Sequence, residues 1–316
     1  MASGWIPDMN PIELPGGILV CRAHCQIICF ICCCDYSFMQ DLQEQGENSD
    51  SASLPDARSD DEDSETFEHP EYQVFDPQEA FTVFNKPGTN GFNDALESEL
   101  DSDPIPTITK FRPPLPSDTP SMLFRPAHRF IRRTNPNEIL LYTDGSCLSN
   151  GLASPRAGCG FVISPHHKIN FRLENTGPTG ELHRQTSNRA ELRAVVAALE
   201  YRAWQSDSVG AWSRVVIATD SEYVVLGATE RINGWVQRGW RTSTGTDVKN
   251  LDLWKRLVYC IKKVNRPMDM LENGRGAAVA FWRIPRQWNE QADAEAKRGA
   301  DLEEEQEFRV PTGVMV

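Results

Sequence analysis

From residue 135 onward, the apolar positions of the chain follow the two periods of regular secondary structure. Five short apolar segments bounded by polar residues predict β-strands, and a short polar turn joins the second to the third. These segments are 138–144, 157–164, 168–175, 214–220 and 277–284. Apolar residues at helical spacing predict α-helices between and after the later strands. The helices cover 187–204, 250–264 and 289–300, and one more begins at Ser221.

The order of these elements predicts the fold class. Three strands are followed by helices and strands in alternation, which is typical of an α/β domain with a mixed five-stranded sheet flanked by helices. We assign residues 134–316 to this domain, and about 180 residues are enough to bury a core of their own.

The chain before this domain has a different amino-acid composition. Residues 41–133 are polar and acidic at first and rich in proline later. Such a segment buries too little apolar surface to offset the entropy of ordering, so we predict a long disordered acidic linker. Residues 1–40 form a separate cysteine-rich segment.

The charge of the chain is divided unevenly between these parts. Residues 41–103 hold 19 acidic and two basic residues, a net charge of −17, whereas residues 104–316 hold 29 basic and 23 acidic residues, a net charge of +6. The overall charge of −13 therefore hides a mildly basic domain beside an acidic segment. This asymmetry is typical of proteins that meet a polyanion such as a nucleic acid.

Other features bear on the compartment. The chain has no run of 18 or more apolar residues, which predicts no membrane span. Its first 20 residues lack a basic start followed by an apolar core, so we expect no secretory signal. We therefore expect an intracellular protein, in the nucleus or cytoplasm, and a monomer.

Six of the nine cysteines lie within residues 21–34, too close together to staple a fold. Cys21, His24, Cys29 and Cys32 form two ligand pairs of the kind that tetrahedral zinc accepts, which predicts a small zinc knuckle. The alternative is a cysteine-rich apolar segment that packs, carries lipid or binds a protein partner.

Four acidic residues stand at the ends of predicted elements. Asp144 and Asp220 each end an apolar strand, while Glu191 and Asp293 lie on helices. Taken singly, each is more often a turn former or a solvated helix residue. Taken together, they can converge on the crevice at the carboxyl ends of the strands. Four clustered carboxylates need cations, and hard oxygen ligands select Mg²⁺ or Mn²⁺.

Four motifs around these acids, in this order and at this spacing, resemble the type 1 ribonuclease H family. They read YTDGSCLSNG, TSNRAELRA, ATDSEYV and NEQADAEAKRGA, and the resemblance covers residues 136–302. A fifth segment, INGWVQRGWRTSTGTDVKNLDLWKRL, is similar to the protruding basic handle of that family. The resemblance implies a ribonuclease H-like fold and cleavage of the RNA strand of RNA/DNA hybrids.

The resemblance also implies roles for single residues. Asp144, Glu191, Asp220 and Asp293 would hold two Mg²⁺ ions, with Mn²⁺ as a substitute. Residues near the minor groove and the RNA 2′-hydroxyls would be Asn150, Ser187 and Asn188. Residues that grip a phosphate of the DNA strand would be Arg184, Thr186 and Asn250. Trp235 and Trp240 would line the channel for the DNA backbone, or alternatively anchor the handle in the core.

The sequence departs from the family pattern at two places. The family usually carries a histidine on a loop before Asn289, but this chain has Pro285, Arg286, Gln287 and Trp288 there, as the plant- and fungal-type variants with an abbreviated loop do. General acid–base assistance typically increases a reaction rate by about 10²–10⁴-fold. The absence of this histidine therefore predicts slower turnover but not the loss of turnover. Glu222 stands where relatives often have glutamine, and its charge is expected to weaken contact with the RNA strand.

These departures leave a second function open. The chain could be a weakly active or inactive module that binds hybrids or double-stranded RNA, with its N-terminal segment as a partner site. A nuclease or integrase acting on DNA is disfavoured by the handle. The four retained acids favour the enzyme.

Overall fold

A computed structural model describes residues 104–151, 154–204, 212–266 and 276–313, together with the backbone of four short strands near the N-terminus. The chain divides into two units, Met1–Glu79 and Ala80–Val316. In the first unit, β1 (Ile12–Leu14) pairs antiparallel with β2 (Ile18–Val20), and β3 (Ile28–Cys29) pairs antiparallel with β4 (Cys34–Asp35).

The predictions made for the N-terminal region mostly fall outside the described residues. Of the four candidate zinc ligands, Cys21, His24 and Cys32 lie outside them, and only the backbone of Cys29, in β3, is described. The predicted acidic segment from residue 41 to residue 103 also lies outside the described part of the chain.

In the second unit, the described residues form one mixed sheet of eight strands. The strands, in chain order, are β5 (Thr109–Lys110), β6 (Phe124–Pro126), β7 (Phe130–Arg132), β8 (Glu138–Leu148), β9 (Arg156–Ser164), β10 (His167–Arg172), β11 (Arg214–Thr219) and β12 (Ala278–Arg283). Their main order across the sheet is β10-β9-β8-β11-β12-β5. Strands β8, β11, β12 and β5 run parallel, while β8, β9 and β10 form an antiparallel meander.

All five predicted strands are confirmed, and the predicted α/β class with them, but the sheet is larger than predicted. The segment that we assigned to the end of the disordered linker adds three strands: β5 extends the sheet beyond β12, and the β6–β7 hairpin pairs with β8. The linker boundary at residue 133 is therefore wrong, because ordered structure begins by residue 109. Prolines dominate the composition of this segment, yet its aromatic residues supply the apolar surface that orders it. Phe111 and Phe124 pack against Trp282 of β12, with ring centroids 4.8 and 6.4 Å from the tryptophan.

Six helices accompany the sheet in the described part of the chain. They are α1 (Pro120–Leu123), α2 (Ser187–Glu200), α3 (Glu222–Leu226), α4 (Ile232–Gln237), α5 (Leu251–Asn265) and α6 (Glu290–Asp301). A π-helical turn, Gly227–Arg231, joins α3 to α4, so the helix predicted from Ser221 exists with an irregular middle. Among the described helices, none is long and apolar enough to cross a membrane.

Small residues on β9 let helices pack on both faces of the sheet. Ala157 and Cys159 face α2, where they are buried with Ala190 and Ala194. On the other face, a Cβ added to Gly160 would lie 2.4 Å from the backbone nitrogen of Ala296 in α6. Only glycine permits so close an approach, so α6 packs directly against β9.

Candidate active site

Asp144 lies in the middle of β8, between β9 and β11, and is buried. It was predicted to end its strand, but pairing with β9 continues the strand to Leu148. The backbone N–H of Gly145 donates to its Oδ1 at 2.8 Å. Burial raises the pKa of Asp144 well above its usual range, and the charges of Asp220 and Glu191 raise it further. These neighbours therefore form an electrostatically strained group of acids, which is typical of functional sites.

Glycine at position 145 brings the second acid to the first. A Cβ there would lie 2.1 Å from the backbone nitrogen of Glu191, so the first turn of α2 passes directly over β8. The hydroxyl of Ser221 donates to the Glu191 carboxylate and also accepts from the N–H of Val224, which caps α3. Ser221 thus ties α2 to the end of β11.

Asp220 follows β11 directly and is held by Asn289. The side-chain amide of Asn289 donates to Oδ1 of Asp220 at 2.8 Å and to the backbone carbonyl of Thr143 at 3.1 Å. Burial raises the pKa of Asp220, while the hydrogen bond from Asn289 and the charge of Arg286 oppose that increase. Asn289 is fully buried, so it fixes the orientation of the carboxylate across two parallel strands.

Asp293 lies in the first turn of α6 and contacts two cations. Arg286 donates to its Oδ1 at 2.8 Å, and Lys297, one helical turn later, lies 2.7 Å from its Oδ2. Asp293 still contributes to the high pKa of Asp144, which places it in the same electrostatic neighbourhood as the other three acids.

The four predicted acids thus lie in a single region. Three of them are on β8, α2 and α6, and the fourth directly follows β11. Within the described residues, however, no three Asp, Glu, His or Cys side chains are gathered closely enough to hold a metal ion as they stand. The donor set nevertheless fits Mg²⁺, since it consists of carboxylate oxygens whose mutual repulsion a divalent cation would relieve.

The predicted substrate residues lie mainly around the first turn of α2. Thr186 caps this helix by accepting from the N–H of Arg189, and Ser187 and Asn188 follow it, half-buried. Arg184 precedes them and is exposed. Asn150 lies in the turn that ends β8 and is half-buried.

Asn250 reaches this region from another element. It precedes α5 in the left-handed conformation, with φ 55°, and its side-chain amide donates to the hydroxyl of Tyr223 at 3.1 Å. Arg189 joins the two helix ends, because its guanidinium forms two hydrogen bonds with Asp252 of α5, at 2.9 and 2.6 Å. Two of the three predicted phosphate-binding residues, Thr186 and Asn250, are therefore the N-cap residues of α2 and α5, and helix N-termini favour anions.

The two predicted channel tryptophans differ in position. Trp235 is buried, and its ring lies 5.2 Å from that of Trp254, which is the position expected of an anchor for the handle. Trp240 is half-buried and has a positive φ of 63° beside Gly239. Of the two, Trp240 is the more accessible to a ligand.

The charge of Glu222 is balanced in the folded protein. Arg283, at the end of β12, donates to its Oε1 at 3.0 Å. The expected repulsion of an RNA strand is accordingly weaker than an unpaired glutamate would give.

Sequence reasoning missed three residues that position the acids: Ser221, Asn289 and Lys297. Each lies within four residues of a predicted acid or directly before a predicted helix, as a capping residue does. That local signal indicates a helix start, but it does not reveal that Ser221 and Asn289 also hold carboxylates on other elements.

Comparisons with known proteins match the domain that contains these residues. A model of the RNase H family matches residues 136–301. The chain is 33% identical over 171 residues to ribonuclease H1 of Mus musculus, covering 53% of this chain and 52% of the mouse protein. It is 39% identical over 173 residues to a ribonuclease H of Paracidovorax citrulli, covering 52% of this chain and 95% of the bacterial protein.

The chain spans about half the length of the mammalian relatives it matches. Among solved structures, LC9-RNase H1, described as a type 1 RNase H with the type 2 active-site motif, is 27% identical. It matches with a TM-score of 0.36 over 52% of this chain and 72% of that chain.

Proposed function

This chain belongs to the RNase H family, and from that premise we propose that it is an endonuclease that hydrolyses the RNA strand of RNA/DNA hybrids. The observation that carries the proposal is the group of four acids, in which a buried Asp144 is crowded by Asp220 and Glu191. A protein that only bound nucleic acid would have no need for this repulsion. The basic balance of residues 104–316 suits a polyanionic substrate.

Asp144, Glu191, Asp220 and Asp293 would hold two Mg²⁺ ions, for which Mn²⁺ would substitute. Ions bound there would activate a water molecule and stabilise the leaving oxygen of a phosphodiester. The chain's own residues prepare the ligands: Asn289 fixes Asp220 across the strands, and Ser221 fixes Glu191 against the end of β11. Ligands held in this way keep their geometry without reorganisation when substrate binds.

The residues around the first turn of α2 would recognise the hybrid. Asn150, Ser187 and Asn188 would face the minor groove, where amide and hydroxyl groups both donate to and accept from a 2′-hydroxyl. Arg184, Thr186 and Asn250 would hold a phosphate of the DNA strand beside the two helix N-termini. Trp240 would contact the DNA backbone, with Trp235 behind it supporting the handle.

The segment before α6 offers no histidine. Pro285 is followed by a 3₁₀ turn, Arg286–Trp288, that leads directly into Asn289. We expect turnover to be slower than in relatives with a loop histidine, by up to about 10²–10⁴-fold, because one acid–base group is missing.

Finer proposals concern compartment and assembly. The described cysteines, Cys147, Cys159 and Cys260, are free thiols, which suits a reducing compartment such as the nucleus or cytoplasm. We propose a monomer, since a single chain supplies all four acids. For the N-terminal segment, we propose zinc binding by Cys21, His24, Cys29 and Cys32 or, as an alternative, contact with a protein partner, on the spacing of these residues.

A second function is a hybrid- or double-stranded-RNA-binding module that cuts poorly. The ion pair between Arg286 and Asp293 favours it, because a cation already occupies one oxygen of a catalytic acid. The two functions make the same prediction for binding and opposite predictions for cleavage.

The decisive experiment is cleavage of an RNA/DNA hybrid, labelled on either strand, by the full-length chain with Mg²⁺ or Mn²⁺. The Asp220→Asn variant is the control, and double-stranded RNA and double-stranded DNA are the comparison substrates. We expect cuts in the RNA strand of the hybrid alone, lost in the control. Tight binding of the hybrid without cuts would instead support the binding module.

A further inference from the structure

Arg286 is fixed beside the acids by the turn that carries it. The backbone N–H of Asn289 donates to the carbonyl of Arg286 at 2.8 Å, and the N–H of Trp288 donates to that of Pro285 at 2.9 Å. Trp288 packs against the apolar cluster around Trp282, which ties the turn to the sheet. The guanidinium is therefore presented from a rigid base, although the side chain itself is 44% exposed.

This guanidinium acts on two of the four acids. It donates to Oδ1 of Asp293 at 2.8 Å, and its charge opposes the effect of burial on the pKa of Asp220. Lys297 takes the other oxygen of Asp293. Positive charge thus stands at the place where a divalent ion would have to bind.

We propose that Arg286 is an exchangeable counter-ion of this site: it neutralises Asp293 while no metal is bound and transfers to a phosphate of the hybrid once a metal occupies Asp293. The inference rests on the proposed function, because it takes the four acids as metal ligands and a phosphodiester as substrate. Guanidinium suits both partners, since its planar donors match carboxylate and phosphate oxygens equally and it keeps its charge at all relevant pH values.

Two consequences separate this role from a purely structural ion pair. Metal and guanidinium compete for the same carboxylate, so the free protein binds metal more weakly than its four acids alone would. Once the metal is bound, Arg286 adds a phosphate contact that the ion pair had hidden. A purely structural pair would give the first effect without the second.

The first arm of the test measures Mn²⁺ binding to the full-length chain by calorimetry, without nucleic acid. Removing a half-exposed ion pair changes affinities modestly, so Arg286→Gln should bind Mn²⁺ about two- to fivefold more tightly than the wild type. Arg286→Lys keeps the charge and should stay near the wild type. The matched control is Arg298→Gln, which removes the same charge from α6 but breaks a pair with Glu295 instead.

The second arm measures hybrid affinity against salt in Ca²⁺, with intact hybrid verified on a gel after each titration. Loss of one phosphate contact should reduce the slope of log K against log salt by about 0.7–0.9 in Arg286→Gln and leave Arg298→Gln unchanged. Melting curves establish that each variant is folded.

Each outcome decides a stated point. Mn²⁺ affinity that is indifferent to Arg286, or that tightens equally in Arg298→Gln, overturns the counter-ion role, and an unchanged salt slope overturns the transfer to phosphate. A wild-type chain that binds no Mn²⁺ would overturn the proposed function together with this inference. Mn²⁺ binding with no dependence on Arg286 would overturn the inference alone.

Discussion

Helix α2 carries charged side chains on two opposite sides, a half-buried Glu191 and a buried Arg193, and their surroundings differ. Glu191 and Arg193 are two residues apart, about 200° around the helix axis, so they point away from each other. Glu191 lies near Asp144, an acid like itself, whose pKa is raised by the charges of both Glu191 and Asp220. Arg193 faces Glu174, with hydrogen bonds of 3.0 and 2.7 Å, and lies 3.8 Å from Glu200.

On the side of α2 around Arg193, positive and negative charges balance: Arg193 and Arg256 lie beside Glu174 and Glu200. Burial alone would lower the pKa of the Arg193 guanidinium, but Glu174 and Glu200 outweigh it and the pKa is raised. Arg256 pairs with Glu200 from α5, and the ring of Phe308 lies 4.2 Å from the Arg193 guanidinium. The two sides show that burial of charge by itself says little about function. Buried charge that is paired with its opposite holds the fold together, whereas like charges crowded around the buried Asp144 mark the candidate site.

The largest expected effect comes from breaking the balanced side. Arg193→Met leaves Glu174 buried without its guanidinium partner and leaves Glu200 paired with Arg256 alone. Breaking a buried pair by removing one partner typically costs about 3–5 kcal/mol of the free energy of unfolding. Urea denaturation of the full-length chain measures it. The control is Arg214→Met, which removes a 46% exposed arginine from its 3.3 Å pair with Glu138. Glu138 keeps Arg132 as a partner at 3.5 Å, so the change should cost less than about 1 kcal/mol. Equal costs for the two variants would contradict the comparison.

On the side of α2 that carries Glu191, we expect a substitution to change the free energy of unfolding in the opposite direction. Asp144→Asn removes one of several repelling charges, so it should increase the free energy of unfolding of the metal-free protein by about 1–2 kcal/mol. The same change removes a proposed metal ligand, and we expect hybrid cleavage to fall by at least about 100-fold. Thermal melts and cleavage assays on one preparation measure both. A destabilised Asp144→Asn variant would show that the acids are not strained.

The stability gained in Asp144→Asn should depend on pH, which provides a sharper test of the comparison. The pKa of Asp144 is higher in the folded than in the unfolded protein, so the folded state resists ionisation. Below the unfolded value of about 3.9, the side chain is neutral in both states and the penalty is absent. As pH rises through the folded pKa, stability is lost from the wild type but not from Asp144→Asn. The stability difference between them should therefore be greatest near neutral pH and shrink toward pH 4, as parallel urea titrations would reveal.

The smallest changes in stability and in hybrid affinity are expected at Glu222. Its pair with Arg283 is neither as buried as the pairs of Arg193 nor surrounded by like charges as Asp144 is. Glu222→Gln leaves Arg283 with an uncancelled charge, so hybrid affinity should rise by a few-fold or less while the free energy of unfolding falls by less than about 1 kcal/mol. Fluorescence anisotropy with labelled hybrid measures the affinity. Weaker binding in Glu222→Gln would mean that Arg283 holds the glutamate for a contact with the substrate.

Much of the domain could be predicted from the chain because its signals are local. Periodicity located the five main strands and the helices after residue 134 to within a few residues. The acid that ends an apolar run marked Asp144 and Asp220, although β8 continues past Asp144 to Leu148. The three strands before residue 134 escaped prediction, since each has only two or three residues and owes its order to distant partners such as Trp282. The same holds for Phe308, whose contacts with Arg193 and Arg256 join residues far apart in sequence.

By itself, the sequence determined the fold class and the family, and it singled out the four acids as candidate ligands, because motif order and periodicity are written in neighbouring residues. Only the tertiary structure decided how charge is matched: that Asn289 holds Asp220, that Arg286 and Lys297 hold Asp293, and that Arg283 cancels Glu222. Coulombic energy depends on distance in space and on burial, and neither quantity can be read from the spacing of residues along the chain.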